Sequence, residues 1–180
     1  MFESIRKTLG LWYARWQFRK DVDHSRQLTD FLEQAGNVLV VLPVGYDHAV
    51  VAGNTLKKLF DRLKNVHLTV VTAGVRGTAL DDMVKSEVVR IDDIDIGKIY
   101  LPKKATLRRV LTRTYDVALD LNLDFVLHAA YICKASRAPV RVGIARQNSE
   151  LFFNVQLNLD RTVSPQTLYE KYSQYLGMFS

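Results

Sequence analysis

One cysteine, Cys133, is all this sequence carries, so an intrachain disulfide framework and a multi-cysteine zinc site are both excluded. The four histidines, His24, His48, His67 and His128, have no metal-ligand spacing with one another or with Cys133, and no metal is expected. Long apolar runs are missing too. The longest, over residues 38–46, is far short of the roughly 20 residues that a spanning helix requires. The first 20 residues, MFESIRKTLGLWYARWQFRK, lack the apolar core and small-residue cleavage site of a secretory signal. With a lone cysteine beside them, they lead us to expect a cytoplasmic protein, peripheral on the membrane face if it meets a membrane at all. No phosphate-cradling glycine pattern occurs: Gly45 and Gly53 do not make G-x-G-x-x-G, and nothing matches G-x-x-x-x-G-K-[S/T]. A nucleotide in the usual first loop is therefore not expected, nor is any cofactor.

What is present is an ordinary globular composition. A 48% hydrophobic and 24% charged chain of 180 residues can bury its own core as one domain. The charge is uneven. Residues 1–20 hold Arg6, Lys7, Arg15, Arg19 and Lys20 against Glu3 alone, a net +4 of the chain's +6. A nucleic-acid binder of the usual kind would spread its basic face over the domain, so that class is the weaker expectation.

Phe2, Ile5, Leu9, Trp12, Tyr13 and Trp16 recur at spacings of three and four, which predicts an amphipathic helix over 2–20 with an aromatic stripe flanked by basic residues. Either that stripe packs on the rest of the chain or it stays exposed for a partner. A second helical segment, capped by Asp23 or Ser25, is expected to end near Ala35 with Gly36 as its stop. The boundary at Gly36 divides an N-terminal helical arm, 1–36, from a single domain, 37–180.

From there, strands at 38–43, 66–72, 88–91, 98–101, 117–121, 140–144 and 152–157 alternate with helices at 54–63, 105–113, 125–134 and 165–175. The stretch YDVALDLNLDFVLHAAYICKASRAPVRVGI (115–144) is the clearest strand, helix and strand unit. Such alternation predicts an α/β class: a Rossmann-like, mainly parallel sheet with helices on both faces, preceded by the helical arm.

Ligands in open parallel sheets sit beyond the carboxyl ends of strands where strand order reverses, so the loops after strands hold the candidates. These are Gly45, Asp47 and His48 after the first strand, Asn122, Asp124 and His128 around the central one, and Arg146 after the next. Asp47 or His48 is a candidate general base, and Arg146 a candidate anion holder. Turn chemistry alone also accounts for Gly45 and Asp47, with His48 at the start of the following helix. Lys103, Lys104, Arg108, Arg109 and Arg113 read as a solvated helix face, Asp92, Asp93 and Asp95 as a turn, and Cys133 as a small core residue.

The segment YD followed by VALDLN at 115–122, the APVRVG strand at 138–143, and VLVV with Gly45 and Asp47 together resemble the N-terminal, acceptor-side domain of the lipopolysaccharide heptosyltransferases, glycosyltransferase family 9, of the GT-B fold. The resemblance runs from about residue 37 to residue 144 and implies a glycosyltransferase-like half domain. In the family an aspartate directly after the first-loop glycine is the proposed catalytic base. Here Tyr46 separates Gly45 from Asp47, and an ungapped alignment sets His48 at that position. The family's basic acceptor-phosphate residue falls at Val126 or His128, neither of them lysine or arginine. The family's donor-binding domain has no counterpart in the 36 residues after Ile144, so a standalone half is expected.

The leading expectation is a non-catalytic accessory or adaptor protein. It would dock on an anionic membrane surface or a membrane-associated complex through Arg6, Lys7, Trp12, Arg15, Trp16 and Arg19. The alternative is the acceptor-binding subunit of a split glycosyltransferase acting on a sugar-phosphate or lipid-linked sugar. An RNA- or ribosome-associated role for the basic arm is the third.

Overall fold

The β-branched runs of this chain make a six-stranded sheet in which every pairing is parallel, in the order β3-β2-β1-β4-β5-β6. A computed structural model describes residues 2–21, 30–61, 63, 66–74, 86–160 and 162–178. The strands are β1 (Asn37–Val41), β2 (His67–Ala73), β3 (Ser86–Ile91), β4 (Val117–Asp120), β5 (Val140–Ile144) and β6 (Val155–Leu157). The helices are α1 (Phe2–Gln17), α2 (Tyr46–Phe60), α3 (Lys104–Val110), α4 (Leu127–Ala135) and α5 (Pro165–Gly177). β1 pairs with both β2 and β4, so the order reverses between β1 and β4 and opens a crevice beyond their carboxyl ends.

Because β1, β4 and β5 are buried on both faces, they read as near-continuous apolar runs, as parallel strands do. One core, with Val38, Val40, Leu119 and Val142 at its sheet side, packs under α2 and α5. The other, with Leu39, Val41, Ala118 and Ile132, packs under α1, α3 and α4. Ser164 caps α5 by accepting from the Thr167 amide, and Pro165 follows at the first helical position. On the inward side of α5, Tyr172 Oη donates to Asp120 O at 3.1 Å and Tyr169 Oη to Leu121 O at 3.2 Å, which satisfies carbonyls at the end of β4.

Several elements differ from the sequence expectation. α2 begins at Tyr46, eight residues before the expected start, because Gly45 in extended geometry serves as its N-cap and Asp47 sits in the first turn, where a negative charge suits the helix dipole. Residues 98–101 form no strand. Tyr100 adopts a left-handed backbone (φ 61°), Gly97 N donates to Leu101 O, and among the described residues the ladder contact there is a single bridge between Ile96 and Pro102. β6 is three residues long, since Phe152 and Phe153 turn inward to the core instead of extending it. The helix expected between Asp23 and Ala35 falls mostly outside the described residues. The described end of that stretch, residues 30–35, forms turns and not helix, and Phe31, Leu32 and Ala35 are buried in the core under α2 and α5.

The arm packs on the domain, but not through the aromatic stripe of α1. Gly10 and Ala14 of α1, with Phe18 just beyond it, face α4 and the 97–101 turn, and Phe18 stacks at 5.0 Å on Tyr131. Phe2, Ile5, Leu9, Trp12, Tyr13 and Trp16 point outward, with Phe2 84%, Trp12 69% and Trp16 51% exposed. No helix among the described residues is long and apolar enough to cross a membrane.

Candidate functional site

The loops that leave β1 and β4 are tied together across the switch point. Val44 N donates to Asn122 Oδ1 at 3.1 Å, and Asn122 donates through Nδ2 and its backbone N to Asp120 Oδ1 at 2.7 and 3.0 Å. Asn122 is thus a buried clamp that sets the width of the crevice. Arg146 does similar work one strand over: Nε donates to Leu123 O at 3.1 Å and Nη1 to Ala145 O at 2.7 Å, joining the loops after β4 and β5. Asp124 is exposed beside them.

Gly45, Asp47 and His48 lie at the amino end of α2, all exposed, with the His48 ring edge-on to Tyr169 at 6.5 Å. Among the described residues neither Asp47 nor His48 is hydrogen-bonded to a group that would orient it as a base. A Cβ on Gly45 would meet nothing within 4 Å and its φ is −74°, so this glycine is required neither by space nor by backbone.

On the opposite side of the crevice, α1 builds a wall that the sequence did not place there. A cavity of about 420 Å³ is enclosed by Leu11 of α1, Val44 after β1, and Phe125, Val126 and Leu127 at the start of α4. Lys7, Thr8, Tyr100, His128 and Asn148 complete it. His128 also lines a smaller adjoining cavity of about 60 Å³ over the ends of β1 and β2. A larger groove of about 600 Å³ runs along α2 and α5, but no loop that follows a strand contributes to it, so the switch point remains the better site.

Arg6, Lys7 and Arg15 of α1 are held at this wall. Arg6 Nε donates to Lys98 O, and both Arg6 (5.5 Å) and Lys7 (5.2 Å) stand over the Tyr100 ring. Lys7 pairs with Glu3 at 2.9 Å, Arg15 donates to Asn148 Oδ1 at 2.9 Å, and Arg19 lies over the Trp16 ring at 5.4 Å. Sequence reasoning found His128 and the α1 residues separately. Only the sheet order brings them into one place, and Tyr100, Phe125 and Asn148 carried no signal of their own. The basic helix α3 is solvated as expected, with Arg109 paired to Asp95 at 2.7 Å, and Arg113, past its end, is paired to Glu87 at 3.1 Å. Cys133 is buried on α4, and burial pushes its thiol well up.

A buried carboxyl and a half-buried imidazole near the strand ends titrate in opposite senses. Burial pushes the Asp120 carboxyl up to about 7, against the Asn122 hydrogen bonds that favour its charge. Burial holds His128 down to about 4, against the pull of Asp93, so its imidazole is neutral at pH 7. The Asp120 contribution to stability is full below its ordinary value near 4 and is lost as pH rises through about 7. The His128 contribution is full above about 6.5 and is lost as pH falls through about 4. Between pH 4 and 6.5 the two slopes oppose each other, each limited to about 1.4 kcal/mol per pH unit. Asp120→Asn should therefore gain on the wild type as pH rises over this range, and His128→Gln should lose on it. Urea denaturation at a series of pH values checks this, and profiles parallel to the wild type would refute it.

No model of a protein family matches this chain, and no curated protein matches it. Among solved structures it is similar to the E. coli heptosyltransferase WaaC with ADP, at 13% identity and a TM-score of 0.58, over 77% of this chain and 46% of that one. The same enzyme with ADP-2-deoxy-2-fluoro heptose aligns at 14% identity and a TM-score of 0.55, over 80% and 49%. A glycosyl transferase of family 9 from Veillonella parvula DSM 2008 aligns at 15% identity and 0.59, over 79% and 41%. The chain spans less than half the length of each. At these identities the likeness establishes a glycosyltransferase-like fold and nothing finer.

Proposed function

We propose that this chain is a non-catalytic docking module, in which α1 holds a glycosyltransferase-like domain against the anionic, cytoplasmic face of a membrane. One observation carries this: α1 is fastened to the domain through Gly10, Ala14 and Phe18 while its aromatic stripe faces outward. A contiguous exposed apolar face rimmed by basic residues marks an interaction site. Arg6 and Arg15 flank the stripe on its two sides, and Arg19 follows it, which is the layout of an in-plane interfacial helix.

The magnitudes suffice for reversible binding. A tryptophan buries on the order of 150–250 Å², so covering the exposed half of Trp12 and Trp16 yields about 2–3 kcal/mol each. Each basic residue at an anionic surface adds about 1 kcal/mol.

Trp12 and Trp16 are the only tryptophans of the chain, so emission excited selectively through tryptophan reports on this face alone. Anionic phosphatidylglycerol vesicles should shift that emission to the blue, and added salt should partly reverse the shift. Co-sedimentation should weaken about tenfold or more in Trp12→Ala/Trp16→Ala, equivalent to ~1.4 kcal/mol. Emission that vesicles leave unchanged overturns membrane docking. A second reading, the acceptor-binding subunit of a split glycosyltransferase acting on a sugar-phosphate or lipid-linked sugar, is supported by the crevice that the reversal between β1 and β4 opens in such a fold.

A further inference from the structure

We propose that the 420 Å³ cavity between α1 and the switch point is a binding site for a small amphipathic monoanion, with its apolar body against Phe125 and Leu127 and its anionic group at Lys7. This goes beyond the docking role and does not rest on it, because the site is bounded by the inward side of α1 and needs no membrane.

The size lies within the range of small-molecule pockets, roughly 300–1,000 Å³, and the lining is largely apolar with a few convergent polar groups. Those polar groups define the ligand. Among the described residues no acidic side chain lines the cavity and Lys7 is the one cation that does, with Glu3 2.9 Å from it outside the lining. His128, held neutral, offers a hydrogen bond without a second charge. A single positive charge beside apolar walls selects a monoanion with a hydrophobic body over a sugar, which needs many polar partners, and over a polyphosphate, which needs several cations. Lys7 is already shared with Glu3, and a carboxylate entering the cavity would take up the donors that Glu3 leaves.

Backbone strain points to the same place. Four described non-glycine residues have positive φ, and two of them, Tyr100 (φ 61°) and Asn148 (φ 71°), line this cavity. Asparagine tolerates the left-handed region, but a tyrosine there costs on the order of 1–2 kcal/mol and is retained only where its surroundings over-determine it. The conformation turns the Tyr100 ring beneath Lys7, the cation of the cavity, and beneath Arg6 outside its lining.

Decanoate is the probe and decanol its uncharged counterpart, each titrated into the full chain without vesicles and followed by amide and ring NMR shifts. Decanoate should bind saturably, with shifts centred on Tyr100, Phe125 and His128, and about fivefold more tightly than decanol. Lys7→Gln should abolish that preference while decanol binding persists. Thr8→Trp, at an exposed position on the rim, should block both ligands while the remaining spectrum stays folded. The inference is overturned by three results: non-saturable binding, shifts confined to the outward residues such as Leu9 and Trp12, or a carboxylate preference that survives Lys7→Gln. Failure here leaves the vesicle experiment untouched, and failure of docking leaves this one untouched.

Discussion

Gly10→Leu should unseat α1 from the domain and lower stability by about 3 kcal/mol, although leucine is the better helix former. A Cβ at position 10 would stand 2.0 Å from Ile99 O and 2.9 Å from Leu127 Cδ2. The first neighbour is backbone, which no rotamer change can move. Helix propensity favours the leucine by roughly 0.8 kcal/mol. Against it stands the whole α1 interface, since relief requires the helix to lift and re-expose Ala14, Phe18 and part of Leu11. Fully burying one phenylalanine contributes about 1.5–3 kcal/mol, so packing outweighs propensity. Hydrogen exchange should rise in α4 and proteolysis should appear within the first 20 residues, while the amides of β1 and β4 stay protected. Gly45→Ala is the matched control and should be near neutral. If Gly10→Leu matches the wild type in urea, α1 does not pack as described.

Arg141→Ala should cost about 3–5 kcal/mol, a large share of the 5–15 kcal/mol typical of a domain. Arg141 is almost fully buried in β5, with Nε donating to Phe152 O at 2.8 Å and Nη1 to Ala138 O at 2.6 Å. Those carbonyls belong to the turns that lead into β5 and β6, so one guanidinium fixes where both strands begin. Alanine leaves the two carbonyls buried without that donor, at about 1–3 kcal/mol each, and opens a void besides. Arg141→Lys keeps the charge but loses the planar fork, and should fall between the two. A shift in the urea midpoint worth less than 1 kcal/mol for Arg141→Ala would refute the role. In the sequence this residue was visible only as part of the APVRVG segment, with no indication of what it holds.

The strands with the firmest periodic or apolar signal were legible within a residue or two, β5 to the residue. The start of α2 was not, because a glycine followed by Tyr46 and Asp47 is equally the chemistry of a turn, and only the extended geometry at Gly45 makes it an N-cap. Residues 98–101 alternate like a strand, yet Tyr100 turns left-handed there to hold the rim of a cavity. That is a local rule broken for a tertiary reason.

By itself the sequence determined the fold class, since apolar runs of strand length alternating with helical periods must bury both faces of a parallel sheet. It also determined that the arm is amphipathic, because spacing alone places Phe2, Ile5, Leu9, Trp12 and Trp16 on one side. Only the tertiary structure decided which side packs. Hydrophobicity nominates the aromatic face, but close approach to the Ile99 backbone demands the face without bulk, Gly10 and Ala14. It alone decided, too, that Lys7, Tyr100, His128 and Asn148 share one cavity, because the reversal between β1 and β4 is a matter of pairing between strands, which no local pattern encodes.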